Sequence, residues 1–491
     1  MDPHKVFLML VLPWLVAATT DSTPACKIRI TRKGLELVKQ EGLRFVEQEL
    51  ENLTIPDLSG NEGKFQYTIS NVTVTDLQLA LSDLHFQPKQ HFVFYINNAS
   101  ISLSFQRKLL FWVFYDIGSI NASAEGVFIK TEVRMAKDMA GRLKIANMTC
   151  EASIGDMQAD FDGTLSSVYG FLGSFLITGM RYLLNRQICP LLNHAGLVLL
   201  NSVLNTVPVR KAVDNHTGID YALLSDPDVT YDTLDMNFKG MFFHLKNEND
   251  TLPNLAVSPV IKEQDRMVYV GLSEYFFDSA IYAYYKADVL KINITEEKMP
   301  KDLELLLRTT YFGNILLLKP EIASAPLKLE FQVSSPPRFI IKPQSTTISV
   351  TATADIFLVP TDLPPEQLSS ITMELKLGAK VLMKGKKLQV QLDVKRFRMY
   401  SNQSALESLA LIPLQNPLKT LLQLVVMPII NERTKQGVEI PVPEGMDFIK
   451  ETVTNHAGYI VIGGDIHFST SLRDVIEKYR TAPSPQPTAA E

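Results

Sequence analysis

Between residues 31 and 53 apolar side chains recur at helical spacing, with Leu35, Val38, Val46, Leu50 and Leu53 on one face and Glu36, Lys39, Glu47 and Glu51 on the other. Pro56 closes this predicted helix. From Phe65 to Ile154 the period falls to two. Ile101, Leu103 and Phe105 alternate with Ser100, Ser102 and Ser104, as in antiparallel strands with one apolar face. A second helical stretch, about 165–204, carries Phe171, Phe175, Met180, Leu183 and Leu184, with a kink expected at Pro190. A polar, proline-bearing connector covers 252–265. Beyond it the order starts again. Residues 275–285 read as an aromatic helix. Leu327, Leu329, Phe331 and Val333 then alternate with Lys328, Glu330, Gln332 and Ser334, and Ile348, Val350, Ala352, Ala354, Ile356 and Leu358 with the polar residues between them. A long helix over about 417–433 places Leu418, Leu421, Leu422, Val425 and Ile429 on one side. Helix, strands, long helix thus occurs twice, as a repetition of pattern rather than of residue identity, and predicts an α+β chain with two large units.

Nine Asn-x-Ser/Thr sequons stand at Asn52, Asn71, Asn98, Asn121, Asn147, Asn215, Asn249, Asn293 and Asn402. A glycan points to water, so Asn98 sets Ser100, Ser102 and Ser104 outward and Ile101, Leu103 and Phe105 inward. The same parity sets Asn147, Thr149, Glu151 and Ser153 outside and Met148, Cys150, Ala152 and Ile154 inside. Cys150 then faces the side available to the second helix, which carries Cys189. A bond between them would close a loop of about 40 residues, worth roughly 4 kcal/mol of chain entropy. Cys26 is the odd thiol.

The N-terminus reads as a secretory signal over 1–20. His4 and Lys5 precede an apolar run from Val6 to Val16, Ala17 and Ala18 offer a cleavage point, and the mature chain is expected to begin between Thr19 and Thr23. That run is too short to span a bilayer, and no later stretch reaches eighteen uninterrupted apolar residues, so no transmembrane segment is expected. A net charge of -5 with 21% charged residues gives no field suited to nucleic acid. Catalytic patterns are missing: there is no G-x-S-x-G, H-E-x-x-H or C-x-x-C, and His456 and His467, eleven residues apart on predicted strands, read as structural. Neither an enzymatic activity nor a metal or cofactor is expected. The paired sheets and helices admit two readings, a filled α+β core or a barrel-like sheet around a helix with room for acyl chains.

Several long segments carry a family resemblance: CKIRIT, GLELVKQEGLRFVEQEL, IPDLSG, INASAEG, NRQICPLLNHAG, DRMVYVGLSEYFFDSA and RFRMYSNQSALESLALIPLQNPLKT. They resemble the lipid-transfer and lipopolysaccharide-binding family that holds cholesteryl ester transfer protein, lipopolysaccharide-binding protein and bactericidal/permeability-increasing protein. The resemblance runs from about Cys26 to Arg480. It implies two elongated barrels of antiparallel sheet, each wrapped on a long helix, joined by a central sheet into a boomerang. It also implies the Cys150–Cys189 bond, and a secreted carrier that moves phospholipids between lipoprotein particles, high-density lipoprotein included. In that frame 26–215 is the first barrel, 216–265 the central sheet and linker, 266–435 the second barrel, 436–480 the return to the central sheet with a short charged helix, and 481–491 a disordered tail. Asn71, Asn98, Asn121, Asn147, Asn249, Asn293 and Asn402 are the expected glycan sites, whereas Asn52 and Asn215 depart from the family pattern. Phe171, Phe175, Met180, Leu183, Leu418, Leu421, Leu422, Val425 and Ile429 are the expected pocket residues.

Lipopolysaccharide is the alternative ligand, but residues 26–215 hold 19 Lys+Arg against 18 Asp+Glu, too even a balance to capture an anionic bacterial surface. Cholesteryl ester transfer protein closes one pocket with an apolar amphipathic C-terminal helix, whereas this sequence has a short charged segment, Ser471 to Arg480, and a proline-rich tail, so the resemblance implies phospholipid rather than neutral-lipid transport. The run Phe111-Trp112-Val113-Phe114-Tyr115 breaks the alternation and must push large apolar groups outward, so Trp112 and Phe114 are the expected contacts with a lipoprotein surface; the alternative places this run in the core.

Overall fold

The computed structural model describes residues 23–51, 53, 55–62, 64–79, 81–89, 91–161, 166–311, 324–401, 411–442, 445–470, 474, 475 and 478. The expected signal segment, Asn52 and Asn402 lie outside them. The chain is α+β. In the first half a seven-stranded antiparallel sheet runs in the order Leu58–Glu62, Phe65–Gln78, His91–Phe111, Phe114–Lys137, Leu143–Ser153, with Leu81–Gln87 paired to the third of these and Asp156–Phe161 to the fourth. Its inner face is the one expected from alternation: Ile101, Leu103 and Phe105, and across from them Ile120, Ala122 and Ala124, are buried. The second half repeats the scheme with Lys291–Thr295, Leu327–Val333, Ser345–Leu358, Glu366–Lys384, Lys387–Tyr400 and Val438–Glu439, plus Arg338–Lys342 on Ser345–Leu358. Here Leu327, Leu329, Ala354, Ile356 and Leu358 form the buried face.

A six-stranded antiparallel sheet ties the two halves together in the order Asp228–Val229, Thr233–Phe238, Cys26–Thr31, Val268–Ser273, Tyr459–Phe468, Met446–His456. Two of its strands depart from the expected boundaries, since Cys26–Thr31 was expected in the first barrel and Val268–Ser273 in the second. Every residue of Val268–Ser273 is buried, as in a strand covered on both faces, which fits a central position better than a barrel wall. Arg29 fastens this sheet through a fork to Asp235, its Nε 2.6 Å from Oδ1, while its Nη1 donates to the Ile261 carbonyl in the connector.

The first helix, Arg32–Glu51, buries Leu35 and Leu50 but exposes Val38, expected on the same face. Phe45, one heptad after Val38 and nearly in line with it, is buried among Ala195, Leu199, Val203 and Val475. The second helix covers the expected stretch of about 165–204. It runs Ser166–His194 through an exposed proline, loosens into a π-helical segment at Ala195–Leu200, and ends with Asn201–Leu204. The helix expected at 417–433 is built the same way, as Gln415–Leu421, a π segment Leu422–Val426, and Met427–Thr434.

Candidate functional site

Each long helix lies on the inner face of its own sheet. In the first half Leu176, Met180, Leu184, Ile188 and Leu192 repeat every four residues and are buried against the strands. Among the described residues Leu176–Leu204 alone is long and apolar enough to cross a membrane, and one stripe of it packs against the sheet. Gly196, in the π segment, leaves room for the Met148 side chain, whose sulfur would lie 2.4 Å from a Cβ there. Cys150 and Cys189 are bonded, with an S–S distance of 2.01 Å, and join the last long strand to the helix. Cys26 is free and buried, and burial pushes its thiol up to about 12.

The residue after the first π segment performs a task invisible in the sequence. Leu143–Ser153 is an edge strand, and the Asn201 side-chain amide pairs with its open side. Its Oδ1 accepts from Ile145 N–H at 2.7 Å and its Nδ2 donates to the Ile145 carbonyl at 3.0 Å. Asn431 repeats this in the second half, accepting from Leu392 N–H at 2.8 Å and donating to the Leu392 carbonyl at 2.9 Å. In the first half the asparagine of the long helix thus pairs with the edge strand, and in the second with Lys387–Tyr400 beyond the two residues that Val438–Glu439 covers.

Of the expected pocket residues, Met180, Leu418, Leu421 and Leu422 are buried and Leu183, Val425 and Ile429 half-buried, all packed into the two apolar cores. The side chains of Phe171 and Phe175 lie outside the described residues. A surface cleft of about 510 Å³ elsewhere is polar, lined by Arg210, Asp220, Lys239 and Glu248 among others, and includes none of these apolar groups. Among the described residues no cluster of His, Cys, Asp and Glu is placed to hold a metal ion. The sequons Asn71, Asn98, Asn121, Asn147, Asn215, Asn249 and Asn293 are all exposed.

The apolar run at 111–115 is not continuous strand. Phe111 and Phe114 pair across a two-residue turn formed by Trp112 and Val113, at the end of the longest hairpin in the sheet. Trp112 holds a φ of 56°, a left-handed conformation that a tight hairpin requires and a bulky side chain rarely takes. It is 69% exposed, Val113 85%, and Tyr115 and Ile117 on the outer face 62% and 61%. Lys64 Nζ sits 4.9 Å from the Trp112 ring centroid. The side chain of Phe114 lies outside the described residues.

Sequence reasoning passed over Arg107. It continues the inner-facing row of Ile101, Leu103 and Phe105, is 1% exposed, and its Nη2 lies 3.1 Å from Asp116 Oδ2. Its one signal in the sequence was parity: a charge in the register of buried apolar groups.

Two family models match the chain, the N-terminal domain of the LBP / BPI / CETP family over residues 34–207 and its C-terminal domain over 211–468. The chain is similar to phospholipid transfer protein of Homo sapiens, 57% identical over 97% of this chain and 98% of that one, and to phospholipid transfer protein of Mus musculus, 55% identical over 96% and 97%. It is 23% identical to lipopolysaccharide-binding protein of Homo sapiens over 94% of this chain and 97% of that one. A crystal structure of lipopolysaccharide binding protein superposes with a TM-score of 0.61 at 21% identity, covering 91% of this chain and all of the other, and so shares its fold.

Proposed function

The chain belongs to the LBP / BPI / CETP family, and from that we propose that it is a secreted, non-enzymatic carrier of phospholipids between lipoprotein particles, high-density lipoprotein included. The observation carrying this reading is the contrast in similarity: 57% and 55% identity to two phospholipid transfer proteins over nearly the full length, against 23% to lipopolysaccharide-binding protein. At about 0.8 kcal/mol per exposed methylene, two long acyl chains resist passage through water by on the order of 20 kcal/mol. An apolar interior that takes the tails and leaves the headgroup wet removes most of that barrier, and no bond is made or broken. The long helices, with Met180 and Leu183 in the first half and Leu418, Leu421, Leu422, Val425 and Ile429 in the second, are the surfaces against which the tails lie. The Trp112–Val113 tip meets the particle surface, because Trp and Tyr favour the boundary between headgroups and tails.

The test is transfer itself. Purified protein should speed the movement of labelled phosphatidylcholine from vesicles to high-density lipoprotein, and mass spectrometry of a native extract should find phospholipid bound. Protein that accelerates no transfer and carries no lipid would end this reading.

A further inference from the structure

Within the first sheet the inner-facing row Ile101, Leu103, Phe105, Arg107, Leu109 contains one charge, and it is among the largest fully buried side chains of the chain. Arg107 is paired across the hairpin with Gly118, and a Cβ at Gly118 would lie 2.9 Å from Arg107 Nη2, so the small residue makes the space for the guanidinium. Nη1 donates to the Ser119 carbonyl at 3.3 Å and Nη2 meets Asp116 at 3.1 Å. The two members of that ion pair differ: the Arg107 side chain is 1% exposed and that of Asp116 36%. Toward the turn the inner row continues with buried Leu109 before reaching the exposed Trp112 and Val113, while Tyr115 and Ile117 are exposed on the outer face; away from the turn Phe105, Leu103, Ile120 and Ala122 form a buried apolar lining. Arg107 therefore lies within the buried row, about 13 Å along the strand from the turn, and Asp116 links it to the water-facing side.

We infer that Arg107 is the specificity-determining group for the phosphate of a phospholipid held in the first half of the chain. The inference rests on the carrier reading given above. With the tails along Phe105, Leu103 and Ile101, the phosphate arrives at the level of Arg107, where a planar guanidinium matches its oxygens in a two-point contact. The half-exposed Asp116 holds the same cation between lipids and yields it as the phosphate binds. A lipid with the same tails and no phosphate offers nothing to replace Asp116.

Transfer of pyrene-labelled phosphatidylcholine and of the matching pyrene-labelled diacylglycerol, measured in parallel, tests this. Arg107→Met is expected to lower phosphatidylcholine transfer at least fivefold relative to diacylglycerol. Asp116→Asn, at a half-exposed position, is expected to tighten phosphatidylcholine capture and leave diacylglycerol unchanged. The double variant Arg107→Met/Asp116→Leu, which leaves no orphaned charge, covers the case in which the single variant is not secreted, and should show the same loss of preference. An unchanged ratio of the two rates in Asp116→Asn, or in whichever Arg107 variant is secreted, overturns the inference and leaves Arg107 a structural fastening. A wild-type protein that moves neither probe refutes the carrier reading instead.

Discussion

Trp112 occupies a turn position that glycine or asparagine fills more readily, and its left-handed φ of 56° stores strain of roughly 1–2 kcal/mol for a bulky residue. Such strain in an exposed aromatic tip suits a surface contact rather than a core. Trp112→Gly, which relieves the φ, should hold or raise the melting temperature and preserve secretion while lowering binding to high-density lipoprotein. A fall in secretion ahead of any fall in binding would return the residue to a packing role. The chain has two tryptophans, and the other, Trp14, lies in the expected signal. Intrinsic fluorescence of the mature protein should therefore shift to the blue when vesicles are added, and emission indifferent to vesicles counts against docking. His91 is a second residue with a reading of its own. It is buried with a φ of 73°, its Nδ1 accepts from Met135 N–H at 3.0 Å, and burial, helped by nearby Arg134 and opposed by Asp226, lowers its pKa. The folded state thus favours neutral His91, so its contribution is complete above about pH 6.5 and is lost as pH falls through that value toward the lower folded pKa. His91→Asn, which accepts the same bond and tolerates positive φ, should lose less stability between pH 7.5 and pH 5.5 than wild type in parallel thermal melts.

Among the elements, the two long helices share a construction that their sequences do not announce: a π segment followed by an asparagine whose side-chain amide pairs with a strand backbone. Removing either amide leaves a backbone N–H and C=O pair without its side-chain partner, so Asn201→Ala and Asn431→Ala should each cost about 1–3 kcal/mol in denaturant unfolding. Because the two sites lie in different sheets, the double variant should be close to additive; a wild-type midpoint in either single variant would show that water serves as well. The Cys150–Cys189 bond spans 39 residues, and its loss should remove about 4 kcal/mol by chain entropy, seen as lowered secretion of Cys150→Ser. In the second half, Glu366–Lys384 and Lys387–Tyr400 set Lys376 opposite Arg396 and Lys384 opposite Lys387, with all four side chains exposed. Like charges facing each other across strands oppose pairing, so Lys376→Glu should stabilise by about 0.2–1 kcal/mol at low salt, a gain that high salt erases.

For the whole molecule, the repeat of sheet and long helix sets the expected stoichiometry. Protein extracted under native conditions should carry about two phospholipids per chain, one against each helix. A single lipid would assign the carrier role to one half and leave the other a structural partner. The central sheet makes the halves interdependent, since Val268–Ser273 pairs on one side with Cys26–Thr31 and on the other with Tyr459–Phe468. Truncation after the first half would strip Cys26–Thr31 of a neighbouring strand and expose the buried row Val268–Ser273 was covering, so an isolated first half should aggregate unless that edge is redesigned.

What could be read without coordinates was local periodicity. The alternation through Ile101, Leu103 and Phe105, the matching rows at Leu327–Phe331 and Ile348–Leu358, the inward face of Cys150 and the existence of each long helix follow from which side chains water accepts, and that preference is written every two or every three to four residues. Partners distant in sequence were not legible. Val270 finds Ile28 and Ile462 at register positions that no window of sequence contains, which is why two strands expected in the barrels belong to the central sheet. The run Phe111–Tyr115 has no period, so nothing local marked Trp112 and Val113 as a turn rather than strand; the register of the flanking strands decided it. Arg107 was visible as an anomaly of parity, but its meaning depends on Gly118 and Asp116 being brought beside it across the hairpin. The roles of Asn201 and Asn431 depend on where a strand runs out of neighbours, and only the assembled sheet shows where that is.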